Sequence, residues 1–418
     1  MIVTVTANPS VDRTIEVAAL RPGTVMRALA SRVDAGGKGV NVARALAAHG
    51  RKAKAVLPSG GAEGTQLEAM LVGLGVDLLT VSIADSIRAN VTVVEADGTT
   101  TKLNEPGPRL SRDELDALAS TLSDAAAPTD WAVLSGSLSP GAPASWYAEL
   151  IRQLRGTGPR IAIDSSGPPL AKAIAARPDL VKPNREELAE LTGRRIDTVA
   201  DVVDAAMTLT AGGVHTVLTS LGPAGAVLLR RDAAWHATAA ATEPRSTVGA
   251  GDALLAGFLA AGADGPGALA EAVAWGTAAA ALPGSRMPGP GDIIRTGIHI
   301  TDLTNLTSED LADRRLLGAA AMTSSIITPD LVDLRLEAAS RQGATRELAQ
   351  LLVSEGRVTD LDGFLTDVTA REQQMPTGIE GGIGIPHARS AFVAEPTLAF
   401  ARSAAGVDFG AADGPPPT

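Results

Sequence analysis

The chain of 418 residues contains no cysteine. Structural disulfides, thiolate metal sites and a cysteine nucleophile are therefore excluded. It also lacks any apolar stretch long and unbroken enough to span a bilayer, and Met1 leads straight into strand-like sequence rather than a signal peptide. A cytoplasmic protein with no membrane partner is expected. Lysine is scarce: there are six, none after Lys182, against thirty arginines. With the abundant alanine, that skew reads as a coding bias rather than an arginine-rich binding surface. A net charge of −11 argues against nucleic acid or an anionic membrane as a partner. Hydrophobic residues at 45% and charged residues at 20% mark a globular chain. The length exceeds one typical core, so at least two domains are expected. No internal repeat is evident.

What is present is organised around Ser246-Thr247-Val248-Gly249-Ala250-Gly251-Asp252, which runs on into Ala253-Leu254-Leu255-Ala256-Gly257-Phe258. Small residues let the backbone approach a bulky charged group. The apolar run behind them has helical spacing, so the loop opens a helix whose free N–H groups and dipole favour an anion. Asp252 sits where it can take a proton from a hydroxyl beside that anion. A phosphate cradle with a neighbouring carboxylate suits phosphoryl transfer to an alcohol, where positioning and charge stabilisation carry most of the catalysis. The plain alternative is an Asp favoured by the dipole in a first helical turn, without chemical duty.

Along the chain, Ile2–Thr6 reads as a first strand ending at Asn8-Pro9, and Arg13–Val17 as a short second one. Gly36-Gly37-Lys38-Gly39 with Asn41 forms a second glycine loop opening a helix, which stops at Gly50. Alternation from Asn90 to Leu103 around Asp97-Gly98 predicts a hairpin, and with residues 12–17 a small separate sheet. Strands then follow at Trp131–Leu134, Ile161–Ile163, Leu180-Val181, Thr216–Thr219 and Ala226–Leu229. Helices are predicted at Leu110–Leu122, Ala144–Leu154, Pro169–Ala176, Arg185–Leu191 and Val199–Thr210. This alternation predicts an α/β domain with a mostly parallel sheet and helices on both faces. Polar residues gather where its strands end: Ser135 and Ser137, Asp164, Asn184 and Ser220. The pattern loosens after Leu282, with a last strand at Ile298–Thr301 and a polar stretch from Thr304 to Arg315. A first domain over 1–305, a linker over 306–323 and a second domain over 324–418 are expected. In the second, helices are predicted at Asp330–Arg341 and Ala344–Glu355, ahead of a glycine-rich segment from Gly378 to Arg389.

The first three hundred or so residues resemble the PfkB (ribokinase-like) carbohydrate kinases. The resemblance is carried, in order, by Gly36–Gly39 with Asn41, Ser135-Gly136-Ser137, Lys182-Pro183-Asn184-Arg185-Glu186-Glu187, Ser220–Gly225 and Thr247–Asp252. Within that family, Thr6–Thr14 and Ala274-Trp275-Gly276 look most like the members acting on fructose 1-phosphate. The resemblance implies a ribokinase-like sheet with a small β lid that often also forms the homodimer contact. It implies Asp252 as the base, and the amides of Gly249, Ala250 and Gly251 as an anion hole. Asp12, Gly37 and Asn41 would bind sugar hydroxyls, while Arg27, Lys38, Arg88 and Ser137 grip the sugar's phosphate. Ser220, Gly222 and Gly225 would line the ATP slot, and Asn184 with Glu187 would orient Mg²⁺ and its waters, as hard oxygen ligands can. The plain alternative for Arg27, Lys38 and Glu187 is a solvated surface charge.

The last ninety-odd residues resemble the fructose-specific IIA component of the bacterial phosphotransferase system, through Ile326–Asp330 and Gly384-Ile385-Pro386-His387-Ala388-Arg389. By that resemblance His387 accepts a phosphoryl group from the histidine-containing phosphocarrier protein, a task that suits imidazole near neutral pH. The match stops short of the family domain's usual length and lacks its second histidine. A truncated, loosely folded segment that the kinase does not need is therefore expected. The leading reading is an ATP-dependent kinase converting fructose 1-phosphate to fructose 1,6-bisphosphate. Tagatose 6-phosphate and fructose 6-phosphate are rival substrates, and a phosphocarrier or sensor phosphorylated at His387 is a reading of a different class.

Overall fold

The computed structural model describes residues 1–97, 99–127, 129–240, 244–306 and 316; beyond these it describes 329–336, 338, 340–374, 378–379, 383–384, 386–388, 390–393, 397–403 and 406–409. The chain divides into two compact units, Met1–Leu316 and Leu317–Thr418.

The first unit opens with β1 (Ile2–Thr6), β2 (Ser10–Val17), β3 (Ala30–Gly36) and α1 (Lys38–Ala48). Next come β4 (Ala53–Ser59), α2 (Gly61–Gly73), β5 (Asp77–Ser82), β6 (Arg88–Glu95), β7 (Thr100–Leu103) and α3 (Arg112–Ala126). The middle holds β8 (Trp131–Ser135), α4 (Trp146–Leu154), β9 (Arg160–Asp164), α5 (Gly167–Ala175), β10 (Leu180–Val181), α6 (Arg185–Thr192) and α7 (Val199–Ala211). It closes with β11 (Thr216–Ser220), β12 (Ala226–Arg230), β13 (Ala234–Thr238), α8 (Ala250–Ala260), α9 (Gly265–Ala280) and β14 (His299–Asp302).

Ten strands form the main sheet in the order β14-β13-β12-β11-β10-β9-β8-β1-β4-β5. From β11 to β5 every pairing is parallel, with Ile2 opposite both Trp131 of β8 and Ala53 of β4. Successive side chains of a strand point to opposite faces, and all five residues of β1 and of β8 are buried. Both faces of the sheet centre are therefore covered. The chain builds outward from β1 through β4 and β5, then returns to β8 and builds the other way. The crevice at the carboxyl ends of β1 and β8 is thus the point where strand order reverses, the usual ligand position in such sheets.

A second sheet, β3-β2-β6-β7, is the small separate one expected. Its β2 and β6 run parallel, placing Ser10 beside Arg88 and Asp12 beside Asn90. The β6–β7 hairpin forms as anticipated, although Gly98 of its turn lies outside the described residues.

Several elements depart from the sequence reading. Strands β3, β4, β5 and β13 and helices α2 and α9 went unanticipated: Pro58 interrupts β4, and α2 carries Gly61, Gly64 and Gly73. Strands β12, β13 and β14 add to the sheet antiparallel. The helix expected over 330–341 does not form. A 3₁₀ turn at Pro329–Leu331 leads into strand β15 (Val332–Asp333), and Asp333 Oδ1 accepts a 2.8 Å bond from Arg335 N, which holds a turn. Helix α10 starts only at Arg341, capped by Ser340, and runs to Ser354; α11 (Leu361–Gln374) follows. Residues β16 (Gly378–Ile379) and β17 (Ile383–Gly384) pair antiparallel, and β18 (Phe400–Ala401) pairs with β15. The second unit gathers Leu331, Leu352 and Val358 into a small buried cluster, with Leu351 and Phe364 partly covered against it. Ile326–Thr328, Ile385 and Arg389, part of the IIA resemblance, lie outside the described residues.

Helices α8 and α9 are fitted to each other by glycine. A Cβ on Gly257 would lie 2.8 Å from both Glu271 O and Trp275 Cγ. Gly257→Ala therefore sets an overpacking cost of about 1–3 kcal/mol against a helix-propensity gain of about 1 kcal/mol. A lower urea midpoint is expected, and an unchanged one would mean that α9 yields freely.

Candidate active site

Helix α8 begins at the mouth of the crevice. Gly249 caps it with φ of 79°, a left-handed conformation that suits glycine. A Cβ there would also lie 2.5 Å from Met287 Cε. The first-turn amides that follow have no intrahelical acceptor by construction, the geometry of an anion cradle, although Ala250 N also lies 3.4 Å from Thr247 O. Asp252 is 6% exposed in that turn, and its Oδ2 accepts a 2.8 Å hydrogen bond from Asn41 Nδ2 on α1. Burial pushes its carboxyl up to about 6, helped by the nearby Asp164 and opposed by Lys38, the Asn41 bond and Lys182. A group poised there is ionised at neutral pH yet basic enough to take a hydroxyl proton.

Asp164, at the end of β9, is fully buried. Lys38 Nζ lies 2.7 Å from its Oδ1 and Lys182 Nζ 3.2 Å from its Oδ2. Burial works against this carboxylate's charge, but the two lysines outweigh it and hold its carboxyl below the usual range. Lys38 Nζ also lies 3.6 Å from Glu187 Oε1, and these carboxylates, with Asp252, raise the Lys38 ammonium despite burial. A Cβ on Gly251 would come 3.4 Å from Lys182 Nζ, so this lysine stands beside the cradle.

The residues expected to meet the sugar lie at the root of the small sheet. Asp12 Oδ1 accepts from Ser10 Oγ at 2.7 Å and from Asn90 Nδ2 at 2.9 Å. Arg88 donates to Asn8 O at 3.0 Å and Glu105 O at 3.1 Å. Asn8 Nδ2 in turn reaches Ser137 Oγ at 3.5 Å, so Asn8 joins two of the proposed phosphate-binding residues. Gly37, with φ of 113°, packs where a Cβ would lie 2.8 Å from Thr6 Cγ2. Arg27 stands apart from this group, on the exposed loop between β2 and β3.

On the other flank, Asn184 and Glu187 form a reciprocal cap on α6. Glu187 N donates to Asn184 Oδ1 at 2.7 Å and Asn184 N to Glu187 Oε2 at 2.9 Å. Glu187 Oε1, outside the cap, lies 3.6 Å from Lys38 Nζ, and hard oxygens of this kind fit a magnesium ion reached through water. Ser220 bridges to Asn184 at the end of β11, and Gly222 and Gly225, with φ of 58° and 83°, bound the 3₁₀ turn that follows. His387 belongs to the second unit and is exposed.

The sequence reading gathered Asp164 with the polar strand-end residues but gave it no role, and left Lys182 inside a motif without one. It missed Arg44 altogether, although a cation amid Val42-Ala43-Arg44-Ala45-Leu46 is a signal in itself.

An amide cradle and a poised carboxylate at the switch point of an α/β sheet, with a small sheet beside them, define a small-molecule kinase. Residues 5–285 match the pfkB family carbohydrate kinase model, and the chain belongs to that family. Residues 325–418 match the model for the phosphoenolpyruvate-dependent sugar phosphotransferase system, EIIA 2. The 1-phosphofructokinase of Rhodobacter capsulatus is 43% identical over 263 residues, which is 62% of this chain and 82% of that protein. The ATP-dependent 6-phosphofructokinase isozyme 2 of Escherichia coli is 35% identical over 257 residues, 61% of this chain and 83% of that protein. Among solved structures, Escherichia coli phosphofructokinase-2 in complex with substrates and products aligns with a TM-score of 0.66 at 35% identity, covering 70% of this chain and 96% of that one. Among the described residues, no helix is long and apolar enough to cross a membrane.

The raised carboxyl of Asp252 has consequences of definite sign. The folded protein binds this proton more tightly than the unfolded chain, whose carboxyl titrates near 3.8. The associated stability is therefore full below that value and lost as the pH rises through about 6. The melting temperature of Asp252→Asn should gain on that of the native protein between about pH 4 and 7, then stay level. Native kcat/KM should show an acid limb centred near 6, while the variant loses at least about a hundredfold in turnover. More than a tenth of native turnover in Asp252→Asn would remove it as the base.

Proposed function

We propose that the first unit transfers the γ-phosphoryl group of ATP to the free primary hydroxyl of D-fructose 1-phosphate, giving D-fructose 1,6-bisphosphate and ADP. The observation that carries the reading is Asp252, buried in the first turn of α8, aimed by Asn41 and titrating near 6. Asp252 takes the hydroxyl proton as that oxygen attacks the γ-phosphorus, and the bond from phosphorus to the bridging oxygen of ADP breaks. The amides of Gly249, Ala250 and Gly251 steady the transferring group, where charge is redistributed rather than created. Asp12, Gly37 and Asn41 orient the sugar. Arg88 and Ser137, joined through Asn8, meet the phosphate already on it, with Arg27 brought from its loop. Ser220, Gly222 and Gly225 line the nucleotide side. Asn184 and Glu187 would hold Mg²⁺ through water, and the ion would supply neutralisation of phosphate charge.

The Lys38 pairing with Asp164 supports a duty for this lysine beside the transferring phosphoryl group rather than at the sugar's own phosphate, a revision of its expected duty. Fructose 1-phosphate is preferred to fructose 6-phosphate because residues 325–418 match a sugar phosphotransferase domain, a partner fitted to fructose uptake and its 1-phosphate product. The 6-phosphofructokinase relatives favour the second substrate. The small sheet, whose loop exposes Val25, Met26 and Leu29, is proposed as the homodimer contact. His387 is proposed as the acceptor of a phosphoryl group from a phosphocarrier protein, and the cytoplasm as the protein's location.

A coupled assay with fructose 1-phosphate, fructose 6-phosphate, tagatose 6-phosphate and free fructose tests the reading. The highest kcat/KM is expected for fructose 1-phosphate and only trace turnover for fructose. Equal use of fructose would misplace the phosphate pocket. Arg88→Ala removes a charge-assisted contact of about 1.5–3 kcal/mol and should raise the KM for the sugar phosphate at least about tenfold. Every site residue named above except His387 lies within Met1–Leu316. Removing 324–418 should therefore leave turnover within about twofold; a larger loss would make the second unit part of the kinase.

A further inference from the structure

Arg44 has no part in the roles above, yet it is only 7% exposed, on a helix where Val42, Ala43, Ala45 and Leu46 have no exposed surface. Such a position is costly for a guanidinium unless its donors are used. Its Nη1 meets three acceptors: Ala35 O at 2.6 Å in lid strand β3, Asn41 Oδ1 at 3.0 Å, and Ser285 O at 3.2 Å beyond α9. Ser285 stands two residues before Met287, which packs against Gly249 of the cradle.

A guanidinium carries donors and no acceptor. The atom of Asn41 facing Arg44 must therefore be the amide oxygen, which turns the amide nitrogen toward Asp252 Oδ2 at 2.8 Å. The two ends of an asparagine amide are nearly equal in shape, so sterics alone would not choose between them. With the opposite flip, an oxygen would face the carboxylate and the base would lose its donor. We propose that Arg44 is a positioning residue for phosphoryl transfer: it fixes the flip of the Asn41 amide and thereby aims the carboxylate of Asp252. Its bonds to Ala35 and Ser285 make that orientation depend on the lid root and on the loop behind the cradle. Arg44 itself touches no substrate.

Charged groups surround this chain of contacts on every side. Lys38 reaches Asp252 from α1, Asp164 from β9 and Lys182 from beyond β10, while Asp12 and Asp34 of the small sheet face Arg44. A change at Arg44 therefore has a pH signature as well as a rate effect. Losing the donor from Asn41 favours the protonated form of Asp252 and moves the acid limb to higher pH.

The test compares full-length Arg44→Met, Arg44→Lys and Asn41→Ala, and combines each Arg44 change with Asn41→Ala. Arg44→Met should lower kcat about ten- to a hundredfold, the scale of a lost hydrogen bond to a charged group, with the KM for ATP within about threefold and the acid limb shifted upward. Arg44→Lys keeps the charge but not the fork and should fall between. In the Asn41→Ala background neither Arg44 change should lower kcat by more than about twofold, because the group it acts through is gone. Where Arg44→Met fails to give folded protein by circular dichroism, the cycle with Arg44→Lys decides. The proposal is overturned if a folded Arg44 variant keeps native kcat and acid limb, or if the Arg44 and Asn41 losses multiply. The inference rests on Asp252 as base; an Asp252→Asn control that kept its turnover would fault that reading instead.

Discussion

Asp164 has no exposed surface, and the ammonium groups of Lys38 and Lys182 offset its charge in the interior. The rest of the site is arranged around that neutralisation. Removing the buried partner Lys182, 4% exposed, would leave an uncompensated charge, typically at a cost of about 3–5 kcal/mol, while Lys38 keeps a third of its side chain exposed. Their positions follow from it: Lys38 opens α1 after Gly37, and Lys182 ends beside Gly251 of the cradle. The same pair sets the field felt by Asp252. Asp164 raises that carboxyl and the lysines lower it, so the base is tuned by a balance rather than by burial alone.

Helix α1 connects this charge cluster to the small sheet. Its first turn carries Lys38, its second Asn41, and Arg44 follows on to reach the carbonyl of Ala35. Space at that junction is made by absence. A Cβ on Gly36 would lie 2.5 Å from Asp12 Oδ1, so only glycine admits the carboxylate expected to meet the sugar.

Much of this was legible in the sequence. Glycine loops followed by apolar helical runs located both α1 and α8, and the alternation of strand and helix gave the sheet's class. The helix expected from Arg185 also forms, and the structure caps it with Asn184 and Glu187. The failures have local causes. Strand β4 contains Lys54 and Pro58, and β5 is half exposed at the sheet edge, so neither shows a clean period. Over 330–341 helical spacing was present, but the Asp333 side chain closed a turn first. Partnerships such as Lys38 with Asp164, or Arg44 with Ser285, join residues far apart in the chain. No period or motif records them.

The central place of β1 carries a consequence for how the chain is made. The strand is made before both of its neighbours, and one of them, β8, comes only with Trp131–Ser135. Until then β1 can pair only with β4, which in turn pairs β5, leaving an apolar strand edge bare on the other side. Open edges of this kind invite pairing with other chains, and long-range parallel pairing is slow to form. Synthesis between β1 and β8 is therefore the interval in which this protein most needs shelter from its neighbours.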